Sequence, residues 1–151
     1  MHGNSSAGLG LATVQHLLDS KAFISILDRA PPPSDLISSS QVKFFKIDIT
    51  TVGEIEKAVD GTVEWTKTTG ATLGGVINCA GVAVASKIID ARNEPHSIDL
   101  WDFALAVNLT GTFNLTRIVL KHLIHVQPDT GDGERGVVIL VSSSAAVRFL
   151  F

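Results

Sequence analysis

The chain has 151 residues but no tyrosine, one cysteine, one methionine and only 18% charged residues. Without tyrosine, these residues offer no phenolic hydroxyl to move a proton. The lone Cys79 excludes an internal disulfide and makes a reducing compartment the expectation. The net charge is −3 with no run of Lys or Arg, which argues against nucleic acid or an anionic membrane as partner. No apolar stretch approaches the roughly 20 residues of a membrane helix. The Gly/Ser-rich opening lacks a basic flank, so no secretory or transit peptide is visible and an intracellular location is expected. What is plentiful is apolar: 45% of residues, enough for a globular core in one domain.

Leu11, Val14 and Leu18 recur at helical spacing over 9–20. AFISIL (22–27) reads as a buried strand ending at Asp28. Three consecutive prolines make 30–40 a loop. A second strand is expected over 42–49 and a helix over 51–70, with Ile55, Val59, Val63 and Trp65 on its apolar stripe. GGVINCAG (74–81) reads as a third strand and turn. A long helix over 99–126 follows capping candidates Ser97 and Asp99, and GVVILVSSS (136–144) is a fourth strand. This order predicts an α/β fold with a parallel sheet covered on both faces.

The opening segment Asn4-Ser-Ser-Ala-Gly8-Leu-Gly10 runs into the first helix. Glycines let backbone N–H groups approach a pyrophosphate, and a helix N-terminus adds partial positive charge. Alone this is weak; an ordinary turn explains it as well. Asp28 strengthens it, lying at a strand end 18 residues after Gly10. There a carboxylate can hold an adenosine ribose and repel a 2′-phosphate, favouring NAD over NADP, although Arg29 alongside would suit the phosphate. A methyltransferase also holds a ribose with an acid at this place. His122 and His125 lie three apart but lack a third ligand, so a solvated helix face is expected and no metal. Trp65 and Trp101 read as packing residues.

Gly8-Leu-Gly10, Asp48-Ile-Thr, Asn78-Cys-Ala-Gly81, Val107-Asn108-Leu-Thr-Gly111-Thr-Phe113 and Ser142-Ser143 occur in that order. The series resembles the short-chain dehydrogenase/reductase family and is foreign to methyltransferases. INCAGVAVASK (77–87), NLTGTFN (108–114) and QPDTGDGERGVVIL (127–140) resemble, more narrowly, its type 2 3-hydroxyacyl-CoA and 17β-hydroxysteroid dehydrogenases. The resemblance runs to about Val147. It implies a Rossmann-type doubly wound sheet. It also implies an NAD-dependent oxidoreductase acting on a secondary alcohol or ketone, such as a 3-hydroxyacyl-CoA or hydroxysteroid, and a mitochondrial or cytoplasmic location.

By the same resemblance, Gly8, Leu9 and Gly10 belong to the phosphate loop, with Gly3 and Asn4 at its Thr and first Gly positions. Ala7 stands where close relatives carry a phosphate-binding serine, and Ser6 substitutes on a one-residue shift of register. Asp48 and Ile49 match the adenine-side pair. Asn78, Cys79, Ala80 and Gly81 match the turn beneath the adenosine, with Cys79 a small buried neighbour rather than a reactive thiol. Asn108 matches the asparagine that opens the helix slightly and holds a water in a proton relay. Ser143 matches the substrate-orienting serine, flanked by Ser142 and Ser144.

The family's general acid/base tyrosine and its lysine have no counterpart here, nor has the strand before the glycine loop. The expectation is a fragment truncated at both ends, a partial NAD(P)-binding domain spanning 1–151, inactive and marginally stable alone. Its strands at 22–27 and 74–79 would leave their inner edges unpaired or pair with each other. Complete relatives form homo-oligomers through the long helix and a following one. That second helix is not in these residues, so the oligomer is not carried over. A non-catalytic nucleotide-binding or interaction module is the alternative reading.

Overall fold

A computed structural model describes residues 8–84, 86–129 and 131–146. In chain order it holds α1 (Gly8–Asp19), β1 (Ile24–Asp28), α2 (Ser34–Ile37), β2 (Val42–Lys46), α3 (Val52–Thr69) and β3 (Gly75–Asn78). Then come α4 (Ile98–Leu105), a π-helical segment (Ala106–Gly111), α5 (Thr112–Leu123), β4 (Val137–Leu140) and a 3₁₀ turn at Ser144–Ala146.

The four strands make two parallel pairs, β1 with β2 and β3 with β4. Among the described residues β1 and β3 do not pair with each other, so of the two arrangements open to their inner edges this is the unpaired one. Strand alternation sends side chains to opposite faces. Ile24 and Ile26 of β1 join Val42 and Phe44 of β2 against Val14 of α1 and Leu36 of α2. Leu27 and Phe45 point the other way, onto a core of Ile55, Ala58, Val59, Val76, Leu115, Ile118 and Val119 from α3, β3 and α5. Helices therefore cover both faces, the doubly wound arrangement expected.

Among the boundaries that differ from the sequence reading are those of α2, β2 and the long helix. The 30–40 loop contains α2, because Pro33 as N-cap needs no N–H and Leu36 is anchored in the core. β2 stops at Lys46 because a turn follows. The Asp48 carboxylate accepts the Thr50 N–H at 2.9 Å, and the Asp48 N–H donates to Glu54 Oε2 at 2.6 Å. The long helix is three segments. α4 starts at Ser97, whose hydroxyl accepts the Leu100 N–H, and α5 follows the π segment.

From Ile98 to Leu123 this composite helix is long and apolar enough, by length and composition, to cross a bilayer, which corrects the expectation of no such stretch. Leu115, Ile118, Val119 and Leu123 are buried, the first three in the core with α3 and β3, and Arg117 and Lys121 lie on the helix's outer side. α5 thus packs one face on the core, whereas α4 buries no residue among those described.

Candidate functional site

A cavity of about 850 Å³ opens between the two strand pairs. Eight of the residues singled out in the sequence line it: Gly10, Asp28, Asp48, Ile49, Asn78, Cys79, Ala80 and Gly81. They come from the start of α1 and from the chain just at or beyond the ends of β1, β2 and β3. That end of a parallel sheet is where α/β folds place ligands. Gly8 and Leu9 precede the wall on the first turn of α1. Ser6 and the rest of the opening segment lie outside the described residues.

Gly8 sits at φ +58°, in the left-handed region, with open space where a Cβ would be. Gly10 is buried behind it. Gly8 thus opens α1 in a conformation that glycine adopts without strain. Asp28 is 7% exposed and its carboxylate accepts the Ala30 N–H at 3.1 Å.

Asp48 is held on three sides. Thr50 donates both its hydroxyl, at 2.7 Å, and its N–H to the carboxylate. These hydrogen bonds, foremost the hydroxyl's, hold the Asp48 pKa below the usual carboxylate value, with a smaller contribution from Arg29 and partial opposition from burial. Arg29 Nε stands 3.7 Å from Asp48 Oδ2 on the surface. Burial raises the Cys79 pKa, so the thiol stays protonated at neutral pH despite a hydrogen bond from Thr13.

The structure keeps Asn108 and Ser143 off the cavity wall. Asn108 lies in the π segment and clamps Val82 with both ends of its amide. It accepts the Val82 N–H at 2.8 Å and donates to the Val82 carbonyl at 2.9 Å. This ties the helix to the strand of chain leaving Gly81. Ser143 follows β4, exposed, with its hydroxyl accepting the Ala145 N–H. Asn78 is 4% exposed and donates to Thr116 Oγ1 at 3.2 Å, joining β3 to α5.

Two positioning residues were not read from the sequence as such. Glu54 holds the Asp48 backbone from across the turn. Gly111 lets the π segment lie on Ile49, since a Cβ there would come within 2.9 Å of the Ile49 carbonyl oxygen. His122 departs from the solvated face expected. It is half-buried, with Nε2 3.4 Å from Asp60 Oδ1, close enough for an ion pair but without hydrogen-bond alignment. Trp65 packs edge-on against Phe23 at 5.8 Å, whereas Trp101 is exposed. Among the described residues no group of three His, Cys, Asp or Glu is placed to hold a metal.

Residues 4–150 match the family model for short chain dehydrogenase. The chain belongs to the short-chain dehydrogenase family. It is 34% identical over 149 residues to 3-hydroxyacyl-CoA dehydrogenase type-2 of Bos taurus, covering 93% of this chain and 54% of that protein. The chain thus spans about half the length of the curated relatives it matches. Its fold matches crystal structures of the family. 3-Hydroxyacyl-CoA dehydrogenase type-2 from Mycobacterium avium superposes with a TM-score of 0.81 at 22% identity, over 95% of this chain and 56% of that one. An NADPH-bound carbonyl reductase from chicken fatty liver gives 0.72 at 22%, over 93% and 57%. A short-chain dehydrogenase from Leptospira borgpetersenii with bound NAD+ gives 0.68 at 22%, over 89% and 46%.

Proposed function

We propose that these residues form the nucleotide-binding part of an NAD-dependent dehydrogenase acting on a secondary alcohol or ketone of the 3-hydroxyacyl-CoA or hydroxysteroid kind. One observation carries the reading. Eight residues from four separate stretches of the chain line one cavity, at the strand ends where a dinucleotide would lie. The fit to such a cofactor rests on Gly8 and the N-terminus of α1 for the pyrophosphate, and on Asp28 for the adenosine ribose. Asp48 and Ile49 stand at the adenine side, and Asn78 to Gly81 beneath it.

NAD is favoured over NADP on charge. A buried carboxylate at Asp28 repels a 2′-phosphate, and Arg29, the nearby cation, is drawn to Asp48. Similar structures hold either cofactor, NADPH in the chicken carbonyl reductase and NAD+ in the Leptospira enzyme, so the choice rests on these two residues. When bound, the nicotinamide gives or takes the hydride. Asn108 holds the helix against the loop after Gly81, and Ser143, by resemblance, orients the substrate oxygen. No tyrosine is present among the 151 residues, so a phenolic acid/base must come from outside them. By themselves they bind without turnover.

Fluorescence titration of the chain with NADH and NADPH tests this. NADH is expected to bind at least about tenfold more tightly, and Asp28→Ala to erase most of the difference. An NADH-linked assay with acetoacetyl-CoA is expected to show no turnover. Equal affinity for both cofactors, or turnover by the chain alone, overturns the corresponding half of the proposal.

A further inference from the structure

The cavity wall is apolar over most of its extent, and its charges are confined to one end. Among the described residues that line it, Asp28, Arg29 and Asp48 alone carry a formal charge. The pairing of β1 with β2 brings them together. The Ile47 N–H donates to the Asp28 carbonyl at 3.0 Å, so the chain leaves β1 at Asp28 and Arg29 beside the turn that carries Asp48. Lys46 stands opposite Asp28 in the register but is exposed and off the wall. Glu54 is also off the wall, engaged with the Asp48 N–H.

The two carboxylates face different partners. Asp28 is buried, and its Oδ1 accepts the Ala30 N–H. Asp48 gives its Oδ1 to Thr50, which donates both hydroxyl and N–H to it. The other oxygen, Oδ2, is the one nearest Arg29, whose Nε stands 3.7 Å away. The guanidinium helps to hold the Asp48 carboxyl below its usual range, the electrostatic sign of the same contact. An exposed pair of this kind adds little to stability. Its consequence is for the charge of the wall.

With Arg29 set against Asp48, the wall presents one net negative charge where an adenosine ribose would lie. A neutral ribose diol tolerates this sum, whereas a dianionic 2′-phosphate is repelled. Removing the Asp28 charge brings the sum to zero, which ends the repulsion but supplies no attraction. Removing the Asp48 charge as well leaves Arg29 unopposed, and a guanidinium suits a phosphate by both charge and shape. We propose that Asp48 is a specificity-determining residue: by neutralising Arg29 it withholds that cation from a 2′-phosphate. Selection of NAD over NADP is then made by three charges, and Asp28 is only the first of them. The proposal rests on the nucleotide reading of the cavity.

The test titrates variants of the full 151-residue chain with NADH and NADPH, read by nicotinamide fluorescence. Asp48→Asn keeps an oxygen for Thr50 and removes the charge. Any loss of an adenine contact weakens both dinucleotides alike and cancels in their affinity ratio. Asp28→Ala is expected to bring the two near parity. Asp28→Ala with Asp48→Asn is expected to favour NADPH about tenfold, an advantage that shrinks as salt is raised. Adding Arg29→Gln is expected to return the ratio to within about threefold of parity. Circular dichroism checks each variant. Asp28→Asn, which keeps an acceptor for the Ala30 N–H, replaces Asp28→Ala if the latter does not fold. Without cofactor, Arg29→Gln in the parent chain is expected to raise the titration of the Asp48 carboxyl, read from its carbon resonance. A parent chain that binds neither dinucleotide overturns the nucleotide reading and this proposal together. Intact NADH binding with no NADPH gain in the double variant overturns the proposal alone. So does a gain that survives Arg29→Gln, since Asp48 would then act on the phosphate directly. An Asp48 titration unmoved by Arg29→Gln overturns it as well.

Discussion

Asp48 shows how much of a site depends on one hydroxyl. Its pKa is depressed in the fold chiefly by Thr50, so the stabilisation this carboxylate contributes is complete above the unfolded value of about 3.9. It is lost as the pH falls through the depressed folded value. Thr50→Val is expected to move the Asp48 titration upward toward the ordinary value, read from the side-chain carboxyl resonance in a pH series, and to shrink the acid-side loss of stability. Glycines give a second residue-scale contrast. Gly111→Ala drives a Cβ into the Ile49 backbone and is expected to cost about 1–3 kcal/mol in urea unfolding. Gly53→Ala meets nothing within 4 Å and is expected to be neutral or to gain up to about 1 kcal/mol of helix propensity. Spacing from the glycine turn and a place at a strand end single out Asp28, whereas Asp48 is singled out by resemblance to the family alone. The roles of Glu54 and Gly111 were not legible, because they are contacts across the fold that no local pattern records.

At the level of elements, periodicity located every strand and each of the longer helices, and capping chemistry placed the start of α4 at Ser97. It overran the ends of β2, β3 and β4; after β2 the Asp48 turn takes the chain out of the sheet, and after β3 a side chain distant in sequence does so. Asn108 does this after β3 by gripping Val82. α2 was hidden behind three prolines, whose helix-breaking character applies inside a helix and not before it. Asn108→Ala removes both bonds of the clamp. With each bond contributing about 1 kcal/mol, the Val82 amide is expected to exchange roughly tenfold faster or more. Hydrogen exchange followed by mass spectrometry reads this directly, with amides in α3 unchanged.

The molecule as a whole presents an unusual amount of apolar surface. β4 pairs with β3 on one side, yet every residue from Val137 to Val141 is exposed, Leu140 at 61%. An exposed β-branched strand of this kind is a template for association. The expectation of a marginally stable chain rests on the inner edges of the strands at 22–27 and 74–79; these five residues are a separate source of association. Leu140→Lys is expected to slow light scattering on warming several-fold while leaving the helical circular dichroism intact. Faster aggregation, or none in the parent chain, would contradict this. What composition could not reveal is that the two inner edges stay apart instead of closing on each other.

The π segment at Ala106–Gly111 has a geometric corollary. An α-helix advances about 100° per residue, and a π turn absorbs one residue more than an α turn would. It therefore acts as a phase shifter between α4 and α5. Removing one residue from 106–111 would leave an uninterrupted α-helix of respectable sequence. With α5 held by its buried face, Trp101 and Phe103 would swing about 100° around the axis, and Asn108 would lose its line to Val82.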